Sequence, residues 1–356
     1  MKKHNYSAGP CILPQEVFEK SAQAILNFND SGLSLLEMSH RSKDFVAVME
    51  EARAIVLELL GLEGKGYQAL FLSGGASLEF IMAPYNLMKE GGKAAYLDTG
   101  TWAAAAIKEA KHFGETIVVA SSATENYNHI PKGYTIPSDV DYFHCTSNNT
   151  IFGTQMKDFP ATTVPVVCDM SSDIFSRVLD FSKFDLIYAG AQKNMGPAGT
   201  TLIVVKEEIL GKSGRNIPSM LDYTKHIKAE SMYNTPPVFP IYASLLTLQW
   251  LKNLGGISAI EKLNNEKAEL LYTEIDRNSL FRGAAAVEDR SNMNATFLLN
   301  DESHTATFDA MWKAVGISGL PGHRSAGGYR ASMYNALALE SVQVLVDVMK
   351  ALEKGI

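Results

Sequence analysis

The sequence predicts an α/β protein, in which a large domain with a mainly parallel seven-stranded sheet precedes a smaller α+β C-terminal domain. Three observations lead there. Between residues 68 and 205 short apolar, β-branched runs alternate with helical patterns, at a spacing that suits parallel strands joined by crossover helices. Glycine-rich turns follow several of those runs, as at Ser73–Ser77 and Asp98–Trp102. After Asn234-Thr235-Pro236-Pro237 the composition changes and longer helical patterns take over.

Taken in order, residues 5–14 (NYSAGPCILP) form an irregular arm, and Pro14 suits the first turn of a helix running to about Phe28, with Val17, Ile25 and Phe28 among its apolar positions. The loop SGLSLLEMSHRSKDF carries Glu37, His40 and Arg41 ahead of a helix over 44–60. That helix has Val48, Ile55 and Leu59 on one stripe, and Gly61 stops it. Strands are expected at 68–72, 93–97, 116–119, 142–145, 164–168, 186–188 and 201–205. The turn SGGAS leads into a helix over 78–88, and the turn DTGTW into one over 101–113. Further helices are predicted at 241–254 and, after Gly255-Gly256, at 258–276. A strand near 296–299, a helix over 305–315, the segment GHRSAGGYR and a helix over 339–353 complete the chain. The boundaries are a large domain 15–254 and a small domain 255–356, with the arm 1–14 packing on the small one.

The chain has 356 residues, 46% hydrophobic and 20% charged, which leaves room for two cores. A net charge of −7 gives no basic surface for nucleic acid or an anionic membrane, so neither is expected as a partner. The cysteines Cys11, Cys145 and Cys168 are odd in number and far apart. They point to a reducing compartment without a disulfide framework. MKKHNYSAGP lacks the apolar stretch of a signal peptide, and no run is long enough to span a membrane. A cytoplasmic location is expected, and no metal.

Parallel α/β sheets bind ligands at the carboxyl ends of their strands, and the candidates for chemistry fall there. Ser73-Gly74-Gly75-Ala76-Ser77 offers a helix start to a phosphate, although many βα turns are glycine-rich for steric reasons alone. Gly64-Lys65-Gly66-Tyr67-Gln68-Ala69 has the spelling of a dinucleotide fingerprint but precedes its strand. Gly211-Lys212-Ser213 lacks the upstream glycine of a P-loop, so both nucleotide readings are demoted. Trp102, at a helix start, is either a packing residue or a flat face for a planar ligand. Thr150 in SNNTIFG could donate a hydroxyl hydrogen bond to that ligand. Asp169 ends the strand VPVVCD, where a carboxylate caps a helix or sits paired in a polar cleft. Lys193 enters the glycine-rich turn of DLIYAGAQKNMGPAGTT between two core strands; taken alone, such a lysine points to water. An aspartate facing a pyridinium nitrogen and a lysine forming a Schiff base are together what pyridoxal phosphate requires.

NYSAGPCILP, LEMSHRSKDF, SGGASLEF, YAGAQKNMGPAGTT, MYNTPP and GHRSAGGYRASMYNA occur in this order. Through them the chain resembles the phosphoserine aminotransferases, class-V fold-type-I pyridoxal-phosphate enzymes, along essentially its whole length. The resemblance implies one pyridoxal 5'-phosphate per subunit, in Schiff base with Lys193. Asp169 is then the partner of the pyridine nitrogen, Trp102 the stacking residue and Thr150 the donor to the ring hydroxyl. The cofactor phosphate falls to the backbone of Ala76 and Ser77 and to the side chain of Gln192, with Asn234 and Thr235 reaching it from the other subunit of a homodimer. Arg330 takes the substrate α-carboxylate. His40 and Arg41 of the second subunit, with His323 and Arg324, take the substrate phosphate or the distal carboxylate of glutamate.

Some members carry an arginine where this chain has Ser77, which shifts phosphate binding onto His40, Arg41, His323 and Arg324. The implied reaction is reversible transamination between L-glutamate and 3-phosphohydroxypyruvate, giving O-phospho-L-serine and 2-oxoglutarate. A second substrate is 3-hydroxy-2-oxo-4-phosphooxybutanoate, giving 4-phosphohydroxy-L-threonine. Two rivals are weighed. Desulfuration or β-elimination on the same lysine usually needs a cysteine on a mobile loop, and all three cysteines look poorly placed for it. An inactive binding module is opposed by the intact Lys193, Asp169 and Arg330.

Overall fold

The computed structural model describes residues 3–355, so Met1 and Lys2 of the arm and the terminal Ile356 lie outside the described residues. Seven strands form one sheet: β1 Tyr67–Leu72, β2 Lys93–Asp98, β3 Glu115–Ser121, β4 Phe143–Thr146, β5 Val166–Asp169, β6 Leu186–Gly190 and β7 Thr201–Lys206. Their spatial order is β1-β7-β6-β5-β4-β2-β3. β7 runs antiparallel to both β1 and β6, and the other neighbours are parallel.

Period-two alternation assigns each side chain to a face. Phe143, Cys145, Val166, Cys168, Ile187, Ala189, Leu202 and Val204 join one core. Covering that face are helices α2 (Lys43–Leu60) and α5 (Val238–Asn253). Val167, Leu186, Tyr188, Ile203 and Val205 face the other way, into a core covered by α3 (Gly75–Leu87) and α4 (Thr101–Ala110). By the same parity Asp169 lies on the α3/α4 side. Each fully buried large apolar side chain contributes roughly 1.5–3 kcal/mol, so a sheet covered on both faces is a rigid base for its strand ends.

Several predicted boundaries move for local reasons. The first helix, α1, spans Gln15–Leu26, and Pro14 stands just before it rather than in its first turn. Ile25 is 37% exposed and off the buried stripe, while Phe28 is buried in a separate short turn. α2 begins where Ser42 Oγ accepts the N–H of Phe45 at 3.3 Å. α3 starts at Gly75, three residues earlier than expected. Gly74 makes this possible at φ 119°, a backbone state that L-residues avoid. Ala76 and Ser77 therefore belong to the first turn of the helix.

The C-terminal part packs α6 (Gly256–Arg277), α7 (Thr305–Ala314) and α8 (Leu339–Lys354) against an antiparallel sheet of β8 (Phe281–Gly283), β9 (Asn294–Leu299) and β10 (Tyr329–Ser332). β10 lies in and just beyond GHRSAGGYR, where no strand was predicted. Tyr6 of the arm is buried in this core, and His4–Asn5 pairs in parallel with Ile317–Ser318. Among the described residues no helix is long and apolar enough to cross a membrane.

Candidate active site

Lys193 stands three residues past the end of β6, on the same edge of the sheet as the turn after β1. Gly190 and Leu72 are register partners of one residue, Thr201 on the strand between them. Lys193 Nζ donates to Thr150 Oγ1 at 2.8 Å and lies 6.0 Å from the centre of the Trp102 ring. Burial pulls the Lys193 ammonium down to about 8; the Asp169 carboxylate opposes the shift and the Arg330 cation adds to it. The arm closes over the lysine stem. Gly9 sits at φ 137°, a backbone state that L-residues rarely adopt, and a Cβ there would stand a tight 3.3 Å from Lys193 Cγ.

Asp169, the last residue of β5, is 5% exposed. Its Oδ1 accepts the Ser171 N–H at 2.9 Å. Burial raises its pKa, against the hydrogen bonding of Ser171 and the pull of Lys193. The strand end is held from behind, because the N–H and Oγ of Ser147 bind the Asp169 carbonyl at 3.0 and 3.1 Å. Thr150 is buried, and its carbonyl accepts Arg330 Nη1 at 3.2 Å. Arg330, on β10, leaves a buried Nε without a partner. Strand ends of the sheet and one strand of the C-terminal part thus bring Lys193, Thr150, Trp102, Asp169 and Arg330 together.

Other predicted residues stand apart. His323 and Arg324 lie in the loop before β10. His323 Nδ1 meets only Ser325, with Oγ at 2.7 Å, and the exposed Arg324 side chain has no polar partner among the described residues. His40 is half-buried and Arg41 exposed, ahead of α2, and the side chains of both lack polar partners among the described residues. Asn234 and Thr235 are exposed ahead of α5 and show no contact with the Lys193 group.

Cys11, expected to be poorly placed for chemistry, lies against the lysine segment. Its thiol donates to the Lys193 carbonyl, and burial pushes it up to about 12, so no thiolate is on offer. Cys145 and Cys168 are buried inside the sheet. Sequence reasoning missed Gly9, Asn194 and Asn335, and named Cys11 without placing it against the lysine segment. The arm NYSAGPCILP holds one glycine and one cysteine, and nothing local said what they would pack on.

These residues fit pyridoxal phosphate. The Asp169 carboxylate is buried at a strand end, the Lys193 ammonium is depressed to about 8, and the Trp102 ring, 38% exposed, lies 6.0 Å from Lys193 Nζ. The first turn of α3 has no side-chain cap, so its N–H groups remain for a phosphate.

The aminotransferase class-V family matches residues 4–345. Phosphoserine aminotransferase of Flavobacterium psychrophilum is 85% identical over 356 residues, covering 100% of both chains, and that of Flavobacterium johnsoniae is 80% identical over the same span. Among solved structures, phosphoserine aminotransferase from Bacillus circulans subsp. alkalophilus superposes with a TM-score of 0.96 at 44% identity, covering 99% of each chain. The pyridoxal-phosphate-bound enzyme from Trichomonas vaginalis gives 0.92 at 35% identity, covering 98% of this chain and 100% of that one. With its lysine, aspartate and arginine gathered at the strand ends and its whole length shared with such relatives, this chain belongs to the class-V aminotransferase family.

Proposed function

We propose that this chain is a phosphoserine aminotransferase, moving an amino group reversibly between L-glutamate and 3-phosphohydroxypyruvate with pyridoxal phosphate as cofactor. The observation that carries the reading is Lys193, its ammonium depressed to about 8 between Thr150, Trp102 and Asp169. The relative in F. psychrophilum, 85% identical from end to end, has the same activity in its name.

When bound, pyridoxal phosphate supplies an electron sink for the negative charge that develops at the substrate α-carbon. The residues of this chain do the rest. Lys193 Nζ is the base that takes the α-proton and returns it. A pKa of about 8 leaves roughly a tenth of the amine neutral at pH 7, against well under a thousandth for an ordinary lysine. The Asp169 carboxylate would pair with a protonated pyridine nitrogen, and Thr150 Oγ1 supplies a hydroxyl beside Nζ. The amides of Ala76 and Ser77 and the side chain of Gln192 hold the cofactor phosphate. Arg330 clamps the α-carboxylate with a planar fork whose Nε is still unpaired. His323 and Arg324 take the substrate phosphate or the distal carboxylate, and 3-hydroxy-2-oxo-4-phosphooxybutanoate is a second substrate of the same clamp.

The remaining residues are supplied across a homodimer. His40, Arg41, Asn234 and Thr235 face outward in one chain. Leu26, Leu33 and Leu36, on the way to His40, are 77%, 49% and 63% exposed, an apolar run that a second copy would cover. The division into domains 15–254 and 255–356, with the arm on the smaller one, and a cytoplasmic location belong to the same reading. Three free cysteines support the latter.

Visible absorption of the purified protein tests the assignment. A band from the lysine-bound cofactor is expected to bleach with glutamate and return with 3-phosphohydroxypyruvate. A wild-type protein loaded with the cofactor but unresponsive to both would refute it. Mixing Lys193→Ala with Arg41→Ala tests the shared site, since mixed dimers keep one intact site. No recovery of activity on mixing would place Arg41 elsewhere.

A further inference from the structure

Just beyond Asp169 the chain passes through Phe175, a buried non-glycine residue at φ 59°. A bulky side chain in the left-handed region persists only where its surroundings over-determine it. Here three consecutive carbonyls are each taken by an asparagine amide from a different element. Asn194 Nδ2 donates to Ile174 O at 2.9 Å, Asn335 Nδ2 to Phe175 O at 3.0 Å, and Asn264 Nδ2 to Ser176 O at 2.9 Å. All three asparagines are buried.

They are also joined to one another. The Asn335 N–H donates to Asn194 Oδ1 at 3.0 Å, and Asn264 Nδ2 reaches Asn335 Oδ1 at 2.9 Å. Asn194 is the neighbour of Lys193, Asn335 follows β10 with Arg330, and Asn264 lies on α6. One turn further along α6, Lys267 is 1% exposed and spends its ammonium on the carbonyls of Met333 and Tyr334 at 3.0 and 2.9 Å. The turn after Arg330 is thereby tied to the segment after Asp169, to the lysine turn and to α6.

We propose that Asn194, Asn264 and Asn335 are positioning residues that set the spacing between Lys193 and Arg330, and hence between the proton-transferring amine and the substrate carboxylate. None of them needs to touch substrate. Asn194 and Asn335 fix the two elements that carry Lys193 and Arg330 to the same strained loop, and Asn264 ties both to α6, so losing one amide lets Arg330 shift relative to Lys193. An offset well short of the length of a side chain costs a bidentate carboxylate pair its alignment. The inference rests on the reading of Arg330 as the carboxylate site.

The test is a double-mutant cycle on the cofactor-loaded protein, with glutarate as an unreactive dicarboxylate and Kd measured by calorimetry. Arg330→Ala, Asn335→Ala and their combination are compared, with Asn264→Leu as an independent entry should Asn335→Ala not fold. Val348→Ala, in the core of the C-terminal part, is the control for general destabilisation. Asn335→Ala and Asn264→Leu are each expected to weaken glutarate roughly tenfold. In the Arg330→Ala background the same substitutions should add little, because they act through that arginine. Fully additive losses, or an equal loss in Val348→Ala, would overturn the proposal while leaving the carboxylate site standing. An unchanged Kd in Arg330→Ala would instead overturn the carboxylate site itself.

Discussion

The two halves of the candidate site are built differently. The cofactor half hangs on strand ends of a sheet covered on both faces: Asp169 and Thr150 are buried, and Lys193 Nζ has a defined partner at 2.8 Å. The half proposed for the distal anion is the loop before β10, where Gly327 and Gly328 both take positive φ and Arg324 is exposed. Arg330 bridges the two, its strand in one part and its Nη1 on the Thr150 carbonyl of the other. The contrast is that Lys193, Thr150 and Asp169 are held at buried strand ends, whereas Arg324 stands on an exposed loop with no polar partner among the described residues. A pre-set lysine and carboxylate avoid reorganisation during proton transfer.

The largest effect expected falls in the rigid half. Lys193→Ala should lower kcat by at least about four orders of magnitude, as loss of a covalent and proton-transferring group does. A smaller loss in single-turnover assays would move the base elsewhere.

Behind the same half, Glu79 of α3 is fully buried against the Tyr223 hydroxyl, and burial raises it to about 7. Because its folded pKa lies above the unfolded value, its contribution is fully present below about pH 4.5 and lost as pH rises through 7. Glu79→Gln removes the cost of charging that site. It should therefore raise stability by up to about 3 kcal/mol at pH 8 and by much less at pH 4.5. Equal gains at both pH values in denaturant titrations would show that the carboxyl ionises freely.

At the bridge, Arg330→Ala should raise KM for glutamate and for the keto acid between about ten- and a hundredfold, the loss of a charged hydrogen-bonded pair. Steady-state kinetics with both substrates check this. In the loop half, Arg324→Ala should cost only a few-fold, about 1 kcal/mol, because an exposed cation is well screened. That loss should shrink further at high salt. A hundredfold, salt-independent loss would mean that the loop is as fixed as the strand ends.

Much of the architecture was legible in the residues. The seven strands of the sheet and the helices around them follow from alternating period-two and period-3.6 patterns, which are local properties. Asp169 at a strand end, Thr150 and Trp102 after theirs, and Lys193 in its glycine turn follow from the rule that α/β ligand sites lie at strand carboxyl ends. Less visible were β10 within a glycine-rich segment and the early start of α3, since left-handed glycines can extend or interrupt an element equally well. The arm offered no periodic pattern, so its place over Lys193 could not be read from it.

By itself the sequence determined the order of elements, their cores and the chemical identity of the reacting groups, because hydrophobic period and residue type act over a few neighbouring positions. Only the tertiary structure decided which of those groups meet. Lys193 and Thr150 are 43 positions apart, and Thr150 and Arg330 are 180 apart. Their contact depends on strand order, on the packing of two cores and on a three-asparagine junction whose members lie on separate elements. Burial then decided the lysine's pKa, because desolvation is a property of the assembled site and no single segment of chain carries it.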